Sequence, residues 1–337
     1  MPMLELLQVT WFVLVGALLA GYSILDGFDL GIGILFPFLG KKEEERRVLL
    51  RSIAPVWDGN EVWLLTGGGA LFAAFPHVYA TVFSGFYAPL MLTLWALIFR
   101  AVAPEFRSHD PKRAGLWDRA FVAGSVLPAL LLGTALGNVI AGIPLDERME
   151  YAGSFLTVLR PFPLLVGLLG VAACALQGST YAALKTEGAL QERAVKAARM
   201  VRIGYASLFV AAGVAAGFAV PEAVEKPLAW VGAAVAMACL WLVGAQLRRG
   251  RFRAAFWCSS AAFLALWLIV GAIQFPYLVR ASGDNGLGLT AYNASSGLLT
   301  LQVMTLIALV GMPVVIGYTI YVYRVFRGPV RTEEAGY

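Results

Sequence analysis

The chain has 337 residues, of which 59% are hydrophobic and 14% charged, and its mean hydropathy is +0.74. A soluble domain carries about 25% charged residues, so no single aqueous core hides this much apolar surface, and lipid has to cover it. The formal net charge of +5 does not point to nucleic acid, because the basic residues fall in short clusters between apolar runs and not along one polar face.

A spanning helix needs about 20 predominantly apolar residues. Met1–Gln8 contains Glu5 and no Lys or Arg, so the positive leading region of a signal peptide is missing and the first apolar run is expected to stay as a span. Nine spans are predicted, at 8–38, 52–75, 78–103, 117–142, 160–184, 200–220, 227–247, 254–277 and 297–325. Pro76 and Pro227 are the expected breakers between the second and third and between the sixth and seventh. Gly67, Gly68 and Gly69, in mid-span, lack the Lys-Ser/Thr that follows a phosphate loop and are read as a close-packing site. Gly204, Gly213 and Gly217 suit close helix contact in the same way. The expected fold is all-α and polytopic.

Alternate loops collect 22 of the 26 Lys and Arg. They hold Lys41 to Arg51, Arg100 to Arg119, Lys185 to Arg202, Arg248 to Arg253, and Arg324 to Arg331. The other side keeps only Arg148, Arg160, Lys226 and Arg280. Because basic residues favour cytoplasmic loops, the N-terminus is expected outside and the C-terminus inside. The predicted loops, none above about 20 residues, leave no room for a soluble catalytic domain.

Ionisable groups in mid-span cost on the order of 2.5 to 3.5 kcal/mol each and mark candidate functional sites. Asp26 and Asp29 in the first span are three residues apart, as are Asp58 and Glu61 in the second, a spacing that shares a helix face. The predicted topology places all four at the cytoplasmic level, with Arg100 at the same depth. A structural ion-pair network, a hydrated proton path and a cation site all remain open. One Arg for four acids leaves carboxyls to be protonated or hydrated, as a proton relay requires. The plainer alternatives are that Asp26 before Gly27 only turns the chain, and that Asp58-Gly59-Asn60 forms a local backbone-bonded turn.

Haem-bearing membrane helices commonly present His as an axial ligand. Here His77 falls in a turn and His109 in a loop, so no bis-His site is expected. Met91, Met237, Met304 and Met312 are read as core residues. Cys174, Cys239 and Cys258 lie in apolar runs without CxxC or CxxH spacing, and no metal site is expected.

The stretch DGFDLGIGILFPFLG (Asp26 to Gly40), then ERR, then SIAPVWDGNEVWLLTGGGALFAAFP (Ser52 to Pro76) resembles subunit II of the cytochrome bd-type quinol oxidases, including the cyanide-insensitive branch. The likeness continues through FSGFYAPLMLTLWALIFRAVAPEFR (Phe83 to Arg107), LPALLLGTALGNVIAGIP (Leu127 to Pro144), KTEG (Lys185 to Gly188), FPYLVRASG (Phe275 to Gly283) and NASSGLLTLQVMT (Asn293 to Thr305). The resemblance implies one transmembrane domain over 1–337, arranged as a four-helix bundle over about 1–142, a second over about 143–277, and a last helix at about 297–325.

It also implies a larger partner, subunit I, that carries two b-type haems and one d-type haem, oxidises quinol and reduces oxygen to water. The expected setting is the respiratory chain of a bacterial inner membrane, where a small single-helix subunit can attach. Asp58 and Arg100 match positions along a cytoplasmic hydrophilic path in that family, with Asp29 a further candidate and Asp26 and Glu61 beside them. Some relatives carry Gln at Glu61, and some carry Asp at Asn293. A structural quinone, found in parts of the family, has no counterpart residues here that the sequence identifies. Two other readings stand beside this one: a proton- or cation-coupled transporter, which predicts broken helices at the midplane, and a purely structural brace.

Overall fold

The computed structural model describes residues 2–282 and 288–330; Arg331 of the basic tail and Gly283 of the FPYLVRASG stretch lie outside them. Eleven α-helices are described: α1 (Met3–Leu39), α2 (Glu43–Ile53), α3 (Trp57–Ala74), α4 (Pro76–Gly85), α5 (Tyr87–His109), α6 (Ala114–Ala141), α7 (Pro161–Lys185), α8 (Gly188–Ala219), α9 (Pro227–Arg248), α10 (Phe252–Gln274) and α11 (Leu298–Val325). Between α10 and α11 two short strands, β1 (Tyr277–Arg280) and β2 (Gly288–Thr290), pair antiparallel. This hairpin was not expected from a sequence read as helices throughout.

Among the described residues, eight helices are long and apolar enough to cross a membrane: α1, α5, α6 with the turn before it, and α7 to α11. The expected span missing from this set is the second, 52–75, which is divided. Its first residues end the amphipathic α2, and the remainder is the 18-residue α3, whose opening Asp58, Asn60 and Glu61 keep it out of that set. The third expected span is also redrawn. Pro76, with no N–H to lose, starts α4 at its first turn, and the chain turns again at Phe86 before α5 runs on to His109.

The sixth expected span is α8, which starts twelve residues before the expected position 200. The basic stretch from Gly188 is helical because it has an apolar face of its own, which buries Leu190, Ala194, Ala197 and Ala198. A scan for apolar runs finds the length in lipid, not the helical extension into water.

α1 is the axis of the molecule. Its 37 residues, roughly 55 Å long, pack against α3, α6, α7 and α10. On one side α7 to α10 form a closed ring of neighbours, α7 with α8, α8 with α9, α9 with α10 and α10 with α7. α5 pairs with α6, which joins α7. Where α1 crosses α7 the backbones touch through Gly31 and Gly178: a Cβ built on either would overlap the other helix's main chain. Small residues of this kind let membrane helices approach closely, and packing then holds them without a hydrophobic drive.

α3 and α11 are attached far more lightly. α3 buries only Asn60, Gly67 and Ala74, every seventh residue, so it touches the molecule along one line. α11 buries only Leu301. Of the three consecutive glycines, Gly67 faces Leu18 and Leu19 of α1, while Gly68 and Gly69 have open space where a Cβ would be. The close-packing reading therefore holds inside the chain only for Gly67.

Replacing Gly31 with Val is expected to separate α1 from α7 and lower stability by about 3 kcal/mol, the upper end of ordinary overpacking, because backbone cannot move aside as a side chain can. Thermal denaturation of the detergent-solubilised protein measures it, and a midpoint equal to that of the parent contradicts the crossing.

Candidate functional site

α1 carries Asp26 and Asp29, both with no exposed surface. Asp26 receives two hydrogen bonds from one guanidinium: Arg100 Nη2 donates to Oδ1 at 2.6 Å and Nη1 to Oδ2 at 3.1 Å. Arg100, on α5, is itself 2% exposed. Gly124 of α6 makes room for it, since a Cβ there would press on Arg100. A buried charge pair holds together only when its geometry is good and its remaining polar atoms are satisfied, and the fork-to-fork arrangement supplies that geometry.

Asp29 has no cation of its own. Asn60 of α3 donates from Nδ2 to its Oδ2 at 2.7 Å, and Tyr323 of α11 donates from its hydroxyl to Asn60 Oδ1 at 2.9 Å. Asn60 Nδ2 also reaches the Leu25 carbonyl at 3.3 Å. The other oxygen of Asp29, Oδ1, is buried and unpartnered. One amide thus joins three helices at a carboxyl that has half of its hydrogen-bonding capacity left.

Glu61 lies at the edge of this cluster, 3.8 Å from Arg100 Nη1 and with 23% of its side chain exposed. Asp58 is exposed and accepts a 2.7 Å bond from the Gly59 N–H. The structure therefore brings together Asp26, Asp29, Arg100 and Glu61, and leaves Asp58 outside. Helical phase explains the separation: two residues are about 200° of rotation, so with Asn60 turned inward Asp58 points out. The local-turn alternative is not what forms at Asp58-Gly59-Asn60, which lies in the first turn of α3. It fails likewise for Asp26, where α1 continues unbroken to Leu39.

A second ionic group closes the same end of the molecule. Arg107 donates to both oxygens of Glu43, at 2.9 and 2.7 Å, and to Asp118 at 2.5 Å, while Arg46 reaches Asp118 at 2.7 Å. Arg193 pairs with Glu45 at 2.5 Å. These bonds fasten α2 to α5, α6 and α8. The Arg107 hydrogen bonds hold the Glu43 carboxyl down from 4.5 to about 2. At Glu45 burial pushes upward, and the bonds from Arg193 and the Lys41 and Lys42 amides outweigh it to keep the group below its ordinary value. In α7 and α10 a neutral network links Gln177 to Ser260 at 2.7 Å and Ser259 to Gln177 at 2.5 Å.

Neither histidine suits an axial role. His109 is an exposed surface residue engaged with Glu105 and Ser108, and His77 sits in the first turn of the short α4. Met91 and Met237 face outward, at 36% and 40% exposure, which corrects their reading as core residues. Among the described residues no group of three or more His, Cys, Asp or Glu could hold a metal ion. The donor set of this chain does not fit haem ligation.

The family model for cytochrome bd terminal oxidase subunit II matches residues 7–326. The chain belongs to this family. It is 36% identical to cytochrome bd-I ubiquinol oxidase subunit 2 of Escherichia coli K12, with 98% of this chain and 97% of that one covered. It is 37% identical to cytochrome bd ubiquinol oxidase subunit 2 of Bacillus subtilis, with 96% and 97% covered. A solved bd oxidase from Geobacillus thermodenitrificans shares the fold, with a TM-score of 0.80 at 17% identity over 95% of this chain and 98% of that one. The chain is accordingly a multi-pass membrane component of a bd-type terminal oxidase, a respiratory oxidoreductase that contains haem, and it works with a partner subunit I.

Arg100→Leu, which strands Asp26 without its partner, is expected to cost about 3 to 5 kcal/mol, and the double variant with Asp26→Leu to recover most of it. Denaturant titration of the assembled protein tests this; equal loss in both variants contradicts it. Glu43, whose folded value is depressed, contributes stability that is complete above pH 4.5 and lost as pH falls towards about 2. The difference in thermal midpoint between the parent and Glu43→Gln should therefore be constant near neutrality and shrink below pH 4.5. A difference that grows on acidification rules out the Arg107 latch.

Proposed function

We propose that this subunit stabilises a larger, haem-bearing subunit I of a quinol oxidase and helps deliver the cytoplasmic protons consumed when oxygen is reduced to water. The observation that carries the proposal is a gradation of carboxyls at one end of the molecule. Asp58 is open, Glu61 is half-covered beside Arg100, and Asp29 is fully buried with a free oxygen. A group that takes up a proton at the surface and a buried acceptor on the neighbouring helix are the minimum parts of an inward relay. Asp26, fully engaged by Arg100, serves as the fixed counter-charge that holds the guanidinium at that depth.

In this reading the basic loops face the cytoplasm, the N-terminus lies outside and the C-terminus inside, in a bacterial inner membrane. The α7 to α10 ring is the second of two four-helix bundles, α1 and the helices up to α6 form the first, and α11 stands apart. Subunit I holds two b-type haems and one d-type haem, which this chain's own donors do not ligate. A small single-helix subunit is a further partner, and ubiquinol, named for the E. coli and B. subtilis relatives, is the electron donor class. The outward position of Asp58 on the lightly attached α3 supports placing subunit I against α3 and α11. A bound quinone has no assigned residues here.

The transporter alternative needs interrupted helices around a midplane site. α1 and α5 run unbroken through Asp26, Asp29 and Arg100, which favours the oxidase role. The brace alternative is separated by Asp58→Asn. The expected outcome is normal co-purification of subunit I with full haem absorbance and a fall in quinol-driven oxygen uptake of at least about tenfold, roughly 1.4 kcal/mol on the barrier. Unchanged oxygen uptake in the assembled variant would confine Asp58 to a structural role.

A further inference from the structure

The end of the molecule built by α8, α9 and α10 carries more positive charge than the acids on these helices offset. Lys196, Arg199 and Arg202 lie on α8, and Arg248, Arg249, Arg251 and Arg253 surround the turn from α9 to α10. The only acid on these segments at this end is Glu192, which is exposed. Surface cations in water need no partner, but Arg202 is not one of them. It is half-buried, its Nε is covered without a hydrogen-bond partner, and its Nη1 makes one long bond of 3.5 Å to the Leu240 carbonyl.

The other covered arginines are served differently. Arg46, Arg100, Arg107, Arg193 and Arg280 each have a carboxylate within 4.0 Å, and Arg160 donates at 3.1 and 2.6 Å to Asn138 and Gly142.

The space that Arg202 occupies is made for it. A Cβ on Gly244 of α9 would stand 2.9 Å from the guanidinium carbon, so the missing side chain lets the charge lie between α8 and α9. One turn beyond Gly244 is the exposed Arg248, and one turn before Arg202 is the exposed Arg199. Next in sequence to this slot, Ile203 and Trp241 are 60% and 63% exposed. They give an apolar flank and a tryptophan of the kind that settles at the lipid headgroup level. α8 and α9 meet each other over much less of their length than α9 meets α10 or α8 meets α7, leaving a seam.

We propose that the α8–α9 seam is a binding site for an anionic phospholipid, its phosphate held by Arg202 with Arg199 and Arg248 at the rim and its acyl chains along the seam. A half-buried cation with no carboxylate partner among the described residues calls for an external anion, and clustered arginines next to spanning helices attract anionic headgroups. Of the anions available at a membrane surface, only a lipid also uses the apolar flank.

The test uses the purified, delipidated oxidase complex in detergent, titrated with dioleoylphosphatidylglycerol. Retained lipid is read by native mass spectrometry, and the thermal midpoint is followed in parallel. Saturable binding and a raised midpoint are expected with phosphatidylglycerol, and neither with dioleoylphosphatidylcholine or inorganic phosphate. Arg202→Gln should weaken binding at least about tenfold, as for loss of a charged hydrogen bond. The exposed pair Arg199→Gln and Arg248→Gln should weaken it about fivefold for each residue removed, and Arg324→Gln on α11 should change nothing.

Equal binding of phosphatidylcholine, an equal midpoint shift from phosphate alone, or wild-type lipid affinity in Arg202→Gln would each overturn the site. So would loss of subunit I from Arg202→Gln with lipid affinity intact, since Arg202 would then serve a protein acid. If Arg202→Gln does not assemble, the Arg199/Arg248 pair decides: undiminished lipid binding overturns the proposal and weakened binding upholds it.

Discussion

A guanidinium and a carboxylate removed from water must meet each other squarely or not at all, and the Arg100–Asp26 pair fixes the inner geometry of this protein. To bring them together α1 and α5 need a common neighbour. α6 supplies it, with Gly124 leaving the space that Arg100 fills. Once Asp26 has its two hydrogen bonds, Asp29, one turn further along α1, is committed to whatever α3 offers, and α3 offers an amide. The cation is used up on the first carboxyl, and the second is left with a neutral partner and one open oxygen.

The rest of the architecture follows from protecting that arrangement. α7 crosses α1 at Gly31 and Gly178 with no side chain between, immediately beyond Asp29 on the chain. At one end of the molecule the Glu43–Arg107–Asp118 group draws α2 over the ends of α5 and α6. Stability and chemistry are therefore arranged in separate layers: fully paired ions at the boundary, a single pair below them, and incompletely satisfied groups beyond. α3 and α11 bury few residues of their own.

Much of the site could be read from the sequence because its charged members are few and each is conspicuous in an apolar run. Asp26, Asp29, Arg100 and Glu61 were found in this way, and the structure places them together. Asp58 was grouped with them on spacing, but helical phase decides otherwise once Asn60 is the inward residue, and nothing local reveals which of the two turns in. Tyr323 was out of reach for a different reason. It meets Asn60 across 263 residues of sequence, and a tyrosine near the end of an apolar helix looks like any interfacial aromatic. The surface helix α2 was hidden because charged amphipathic helices resemble loops to a search for hydrophobic runs.

The dependence of Asn60 on Tyr323 gives the carboxyl site a direction in time. α1, α3 and α5 are complete by His109, yet the hydroxyl that steadies the bridging amide arrives only with the last helix. A chain released before α11 would hold the ion pair, both aspartates and the bonds of the amide nitrogen to Asp29 and Leu25, but leave the amide oxygen without its tyrosine. The finished site thus draws on α11 as well as on the early helices, and the capped amide oxygen registers that α11 has docked.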